Sequence, residues 1–274
     1  MVAPMDGLKE IEKVARIAAD AASEIQKHYF RTGFEISYKG EVNMLTQADL
    51  ESQRVIVETI QNNFPSHMVL AEENDVGHQS SFDGPIWVID PIDGTTNYAH
   101  RFPIFSSSIG FIDEGRRQFG LIQLPMLKEC YTATRGQGAF LNGTPIRVSK
   151  MDDLQKSLLA TGFPYERKSL KENNLDYFNH FEMNSLTVRR PGAASYDLAC
   201  VAAGRFDGYW ELKLQPWDIA AGMLIVEEAG GKITDLSGKP ISNYWCGEML
   251  ATNGIIHQRM LDDIAAIRKE KNYL

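Results

Sequence analysis

Two aspartates stand three residues apart in the run Trp87-Val-Ile-Asp90-Pro91-Ile92-Asp93-Gly94-Thr95-Thr96-Asn97-Tyr98. An apolar segment leads into Asp90, Pro91 stiffens the next step, and a glycine and two threonines follow Asp93. Carboxylates this close repel unless something cationic lies between them. Mg²⁺ prefers oxygen ligands, and the Ile92 carbonyl can serve as another. Gly94 lets the backbone approach an anion closely. If a helix starts there, the free N–H groups of Gly94, Thr95 and Thr96 point at a phosphate. The run has the ingredients of a metal and phosphate site. Asp-Pro and Asp-Gly are also common turn dipeptides, so residues 90–94 alone read equally as a turn.

Further carboxylates follow the same logic. Glu72-Glu73 ends the short apolar run Met68-Val-Leu-Ala71. Strand ends that deliver acidic side chains build a metal site on a rigid support. By itself the pair is a solvated strand end; its place one strand before Asp90 makes Glu72 a candidate ligand and puts Glu73 behind it. Asp218, after Trp217, reads either as a helix cap or as a ligand. Glu211 in Tyr209-Trp-Glu211 reads as the polar face of a strand or as a substrate contact. Asp49 reads as structural, Lys39 as an exposed lysine, and Arg189-Arg190 as a surface pair or as readers of a second phosphate or a partner.

These groups need elements to hold them. Apolar residues at helical spacing over residues 8–29 predict a first helix, ended by Gly33. Thr46 is placed to cap a second, running to Pro65. Residues 68–71 and 86–89 are short strands, and residues 105–141 read as an antiparallel meander broken by Gly, Pro and Asn. In the second half, residues 158–160, 207–212 and 249–251 read as extended, and residues 174–183, 219–229 and 255–271 as helices. Residues 195–203 are apolar and Ala-rich, closed by Gly204, and Gly230-Gly231 forms a good C-terminal cap. Blocks of strands and helices without strict βαβ alternation predict a layered α+β fold with helices between sheets. The 274 residues are read as a single domain, 1–274, with approximate halves 1–150 and 151–274.

A net charge of -8, from 36 acidic against 28 basic residues, argues against nucleic acid as the main ligand. It is compatible with a phosphorylated substrate, because divalent cations reverse the local sign of an acidic pocket. Cys130, Cys200 and Cys246 are odd in number and form no CxxC pair, which points to reduced thiols rather than disulfides or zinc. The six histidines are scattered at no ligand spacing. Neither a signal peptide nor a membrane span is expected, so the expected location is the cytoplasm.

Taken together, the motifs resemble those of the inositol monophosphatase family. A hydrophobic strand leads to Asp90-Pro-Ile-Asp-Gly-Thr-Thr-Asn97; Trp217-Asp-Ile-Ala-Ala-Gly222 runs on to Glu228-Ala-Gly-Gly231; Glu72-Glu73 and Leu45-Thr46-Gln-Ala-Asp49 lie upstream. The likeness spans roughly residues 8–261. It implies an α+β, layered α-β-α-β-α sandwich of the sugar-phosphatase type and a Mg²⁺-dependent, lithium-sensitive phosphomonoesterase, expected as a homodimer. Two to three Mg²⁺ per subunit are implied, one held by Glu72, Asp90 and the Ile92 carbonyl, a second by Asp90, Asp93 and Asp218, and a weaker third near Glu72. Glu72 and Thr95 would orient and deprotonate the attacking water, with Asp90 in the catalytic set. Gly94 and Thr95 would bind the phosphate; Asp93, Ala194, Glu211 and Asp218 would meet the substrate.

The implied reaction is hydrolysis of inositol 1-phosphate, or of another small polyol or sugar phosphate. Fructose-1,6-bisphosphatase, histidinol-phosphate phosphatase and nucleotide phosphatase activities belong to related proteins, and a regulatory role with a protein partner is the alternative of another class. Neither a membrane nor direct nucleic-acid contact is implied. The chain departs from the family at Ala71, where Gly is usual, at Gly192-Ala193-Ala194, which lacks one hydroxyl, and at Pro216. Residues 163–174 and the surroundings of Ala194 and Glu211 are expected to set specificity.

Overall fold

A computed structural model describes residues 5–38, 44–74, 84–241 and 247–273. Two long helices come first, α1 (Met5–Thr32) and α2 (Gln47–Asn63), separated by the two-stranded ribbon β1 (Ile36–Tyr38) and β2 (Met44–Thr46). Thr46 caps α2 as expected. Its hydroxyl accepts from the Asp49 N–H at 3.4 Å, and the Asp49 carboxylate accepts from the Thr46 N–H at 2.8 Å, so two orphan donors are satisfied reciprocally.

A seven-stranded sheet follows in chain order: β3 (Met68–Ala71), β4 (Ile86–Asp93), β5 (Ser106–Asp113), β6 (Arg116–Leu124), β7 (Glu129–Thr134), β8 (Ala139–Leu141) and β9 (Thr144–Ile146). β5 to β8 form the antiparallel meander expected over residues 105–141, β4 and β9 extend it antiparallel at either end, and β3 runs parallel to β4. The five-residue helix α3 (Thr95–Ala99) lies between β4 and β5.

The second half builds a five-stranded sheet from β10 (Leu158–Thr161), β11 (Thr187–Arg189), β12 (Gly208–Leu212), β13 (Lys232–Thr234) and β14 (Glu248–Thr252), in the order β11-β10-β12-β14-β13. Its helices are α4 (Leu175–Asn184), α5 (Ala194–Ala202), α6 (Pro216–Glu228) and α7 (His257–Lys271). β2, β9, β11 and β13, of three residues each, were not foreseen, because so short a run shows little pattern. α6 begins three residues earlier than expected because Pro216 occupies its first turn, where a missing N–H costs nothing.

Packing puts these elements into five layers. Leu8, Val14, Ala18, Ile56 and Ile60 of α1 and α2 cover one face of the large sheet at Trp87, Ile109 and Phe119. α5 and α6 fill the space between the sheets, touching Ile122 and Tyr131 on one side and Tyr209 and Met249 on the other. α4 and α7 cover the outer face of the small sheet through Phe181, Met260 and Ile264. The α-β-α-β-α sandwich is the architecture expected. α6 is apolar on nearly all sides, as a helix buried between sheets must be. No helix among the described residues is long and apolar enough to cross a membrane.

α6 meets the large sheet at two glycines that pair across β5 and β6, Gly110 and Gly120. A Cβ at Gly110 would stand 2.9 Å from the Ala220 Cβ, and one at Gly120 only 2.6 Å from the Ala221 carbonyl oxygen. Helix and sheet thus touch backbone to backbone, just one turn from Asp218.

Candidate active site

Side chains alternate faces along a strand, so residues three apart should point in opposite directions. Asp90 and Asp93 nevertheless line one cleft. The register explains it: Asp90 faces Ser108 and Asp93 faces Ser106, so one extra residue is inserted in β4. Such a bulge re-aims a side chain. The bulge carbonyl of Pro91 accepts from Ser107 Oγ at 2.8 Å and from Gln26 Nε2 at 2.9 Å, and Gln26 is wholly buried in α1.

Gly94 follows in the left-handed region, at φ +91°, and a Cβ there would lie 3.1 Å from the Ile104 carbonyl and 3.2 Å from the Ala193 Cβ. Only glycine fits both constraints. α3 starts at the next residue, and its first N–H groups have no partner within the helix. Thr95 Oγ1 lies 3.0 Å from the Ile92 carbonyl oxygen and 3.3 Å from Asp49 Oδ1, two acceptors for its one proton. Asn97 donates to the Ile104 carbonyl at 2.8 Å and to the Pro191 carbonyl at 2.7 Å, tying α3 to the loop that enters α5.

That loop delivers the partners of Asp93. Its carboxylate accepts from the Ser195 N–H at 2.6 Å, from the Ala194 N–H at 3.3 Å and from Ser195 Oγ. Ser195 Oγ in turn lies 2.6 Å from Ser106 Oγ of β5. From the other side, Asp218 sits in the first turn of α6 and accepts the Gln215 N–H at 2.7 Å. Cap and cleft residue are therefore one group. Glu72 reaches the same cleft from the turn after β3, where the Glu73 N–H donates to Gln53 at 2.9 Å. The cleft, about 530 Å³, is lined by Glu72, Asp90, Asp93, Thr95, Glu211 and Asp218 among others.

Burial and crowding both disfavour charge here. Asp90 is held well above the ordinary carboxylate range by desolvation, then by Glu72, Asp93 and Asp218. Asp218 is raised by desolvation and Asp93. Asp93 is raised by desolvation, against the pull of its Ser195 and Ala194 hydrogen bonds. Desolvation pushes Glu211 up to about 7, although it accepts from the Tyr209 hydroxyl at 2.6 Å.

Among the described residues, no three His, Cys, Asp or Glu side chains are gathered closely enough to enclose a metal ion. The donor chemistry nonetheless fits a hard divalent cation. It is made of oxygen alone, it crowds carboxyls that ionise readily only beside a cation, and Asp90 Oδ1 is buried without any hydrogen-bond partner.

The sequence pattern of the inositol monophosphatase family matches residues 7–272. The chain belongs to this family. It is 42% identical over 234 residues to the inositol-1-monophosphatase of Synechocystis sp., covering 85% of this chain and 80% of that protein. It is 41% identical over 249 residues to the Nus factor SuhB of Escherichia coli, covering 90% and 92%. An inositol monophosphatase structure from Anabaena superposes with a TM-score of 0.85 at 40% identity, covering 95% of this chain and 97% of that one. The family is one of phosphatases, generally dependent on Mg²⁺.

Of the family-type site residues expected from sequence, Glu72, Asp90, Ile92, Asp93, Gly94, Thr95, Glu211 and Asp218 all line the cleft. Ala194 lines an adjoining cavity of about 290 Å³ together with Asp93, Gly94 and Glu211. Lys39 lies outside the described residues. Three contributors were missed. Gln26 and Ser106 carry no local signal, because they act through pairing with distant segments. Ser195 stands two places after Ala193, where a family hydroxyl is absent, and supplies a hydroxyl to Asp93 instead.

Proposed function

We propose that the chain is a Mg²⁺-dependent phosphomonoesterase that hydrolyses myo-inositol 1-phosphate to inositol and phosphate. The observation that carries this reading is the convergence of Glu72, Asp90, Asp93 and Asp218 on one cleft beside Gly94 and Thr95. Glu72, Asp90, Asp93, Asp218 and the Ile92 carbonyl would hold two to three Mg²⁺. Bound there, Mg²⁺ lowers the pKa of water and neutralises charge on the leaving oxygen. The chain's own groups orient the reactants. Thr95 and Glu72 direct the water oxygen toward phosphorus, and Asp49, pushed up to about 6 chiefly by burial, can take the Thr95 proton. The N–H groups at the start of α3 face the phosphate oxygens. Asp93, Ala194, Glu211 and Asp218 meet the polyol. As the P–O ester bond breaks, the new bond runs from water oxygen to phosphorus and a proton passes to the alkoxide.

The sequence Thr95-Thr96-Asn97-Tyr98 favours an inositol phosphate over fructose 1,6-bisphosphate or nucleotide phosphates. Free thiols at Cys130 and Cys200 support a cytoplasmic setting. Met183 and Leu186, 82% and 63% exposed beside the edge strand β11, offer an apolar patch for the expected homodimer. Lithium sensitivity belongs to the same reading.

Phosphate release by the purified protein with Mg²⁺ tests the proposal, across inositol 1-phosphate, fructose 1,6-bisphosphate, histidinol phosphate and adenosine 3′,5′-bisphosphate. Release from inositol 1-phosphate, abolished in Asp93→Asn, is expected; a folded protein inactive on all four overturns it. The likeness to a Nus factor favours a second reading, a regulatory role in binding the transcription machinery. Asp93→Asn would then abolish phosphatase activity and leave partner binding intact.

A further inference from the structure

α5 starts without a cap of its own. Ala193 stands at the capping position and has no side-chain group to offer. The Asp93 carboxylate, from the distant strand β4, takes that place. It accepts from the Ser195 N–H at 2.6 Å and from the Ala194 N–H at 3.3 Å, two of the donors that a helix leaves unpaired at its start. The positive end of the helix dipole favours a carboxylate there. A carboxylate of the cleft is thereby fixed to a helix that lies between the two sheets.

The two oxygens of Asp93 are not equivalent. Oδ2 accepts both the N–H and the hydroxyl of Ser195, which fills its two lone-pair directions. Oδ1, with the longer Ala194 contact, keeps a lone pair for a cation. Ser195 has one hydroxyl proton and two neighbours. An ionised carboxylate only accepts, so Ser195 Oγ donates to Asp93 and receives from Ser106 Oγ at 2.6 Å. Both serines are wholly buried, and neither lines the cleft or its adjoining cavity, so they act on Asp93 and not on a substrate. Ser106 opens β5 opposite Asp93 in the register. Ser108, on the same face of β5, donates to the Trp217 carbonyl at 3.1 Å, next to Asp218. One strand thus steadies both sides of the carboxylate pair.

We propose that the Ser106–Ser195 hydroxyl chain is a positioning device for a divalent cation. It holds Asp93 with Oδ2 engaged by α5 and Oδ1 left for the cation, and so sets the affinity of the metal shared by Asp93 and Asp218. The inference rests on the reading of the cleft as a Mg²⁺-dependent phosphatase site. Ser195 and Ser106 are positioning residues: the first acts through Asp93, the second through Ser195.

Calorimetry of Mg²⁺ binding to the metal-free full chain, without substrate, is the test. Asp93→Asn marks the binding step that depends on Asp93. Ser195→Ala is expected to weaken that step about tenfold, as loss of an outer partner of a ligating carboxylate does, and to leave the other binding steps unchanged. Ser106→Ala should weaken it by a smaller factor, and the double variant should match Ser195→Ala, because Ser106 acts only through Ser195. In the phosphatase assay, Ser195→Ala should raise the Mg²⁺ requirement and, at saturating Mg²⁺, keep the KM for inositol 1-phosphate. A merely structural contact would lower the melting temperature without moving the Mg²⁺ affinity of the folded protein. Unchanged Mg²⁺ affinity in folded Ser195→Ala overturns the inference, as do additive effects of the two serines. Should Ser195→Ala unfold, Ser106→Ala alone decides: weaker binding keeps the device, and unchanged binding removes it. Mg²⁺ binding that responds to Ser195→Ala in a protein without phosphatase activity would overturn the phosphatase reading alone; a full chain that binds no Mg²⁺ would overturn both.

Discussion

Asp90 and Asp93 face one cleft because a single residue is inserted between them in β4, and Gln26 of α1 donates to the carbonyl that the insertion exposes, at 2.9 Å. Gln26→Leu leaves that buried carbonyl to Ser107 alone. The variant is expected to lose about 1–3 kcal/mol of stability, read from urea unfolding, and about tenfold in kcat through a misplaced Asp93. Lost stability with unchanged kcat would show that Ser107 suffices to set the bulge.

Removing divalent metal exposes the cost of the carboxylates. Asp90, Asp93 and Asp218 are all raised, and Glu211 is raised from 4.5 to about 7. A carboxyl whose pKa is higher in the folded state adds stability below its unfolded pKa and loses it as pH rises through the folded value. For Glu211 the window runs from 4.5 to about 7. With EDTA, the melting temperature should therefore fall as pH rises across that window, and Mg²⁺ should restore more at the alkaline end than at the acid end. A Mg²⁺ effect independent of pH would count against Asp90, Asp93 and Asp218 as its ligands.

His257 titrates in the opposite sense. Buried between Thr234 Oγ1 at 3.0 Å and Thr252 Oγ1 at 2.9 Å, it is lowered to about 4, by desolvation first and then by Lys232. Its unfolded state takes up a proton near 6.5, so stability drops as pH falls from 6.5 to about 4. In Mg²⁺-saturated protein the loss should be ~2 kcal/mol, and His257→Gln should flatten the curve. An equally steep curve in the variant assigns the loss to other groups.

Gly120→Ala puts a methyl group 2.6 Å from the Ala221 carbonyl. Backbone cannot yield as a side chain can, so α6 must shift, at a cost of about 1–3 kcal/mol. Because Asp218 rides on α6, the apparent Mg²⁺ requirement in the phosphatase assay should rise as well. Destabilisation with an unaltered Mg²⁺ dependence would show that Asp218 keeps its place.

Much of this site was legible in the sequence because its residues lie in contiguous runs. Thr46 declares a cap, Asp90 to Asn97 a strand, turn and helix start, and Trp217-Asp218 the entry to a buried helix. What stayed hidden depends on register or on distant contacts. The bulge exists only against Ser106 and Ser108 of β5. Asp49 reads as structural, and its reach to Thr95 appears only when α2 docks on β4. Gln26 is one polar residue in an amphipathic helix. Arg190 meets the Phe163 ring only because β11 brings it there.

The glycine pair under α6 separates two kinds of change. With Gly110 and Gly120 against Ala220 and Ala221, the spacing between Asp218 and the carboxylates of β4 is set by main-chain contact, which no exchange of surface side chains can stretch. The loop of residues 163–170 borders the cleft at Phe163 and Tyr165 without any such contact to α6. If that loop sets specificity, as the sequence predicts, substitutions there would redirect which ester is accepted and leave the carboxylate cluster in place.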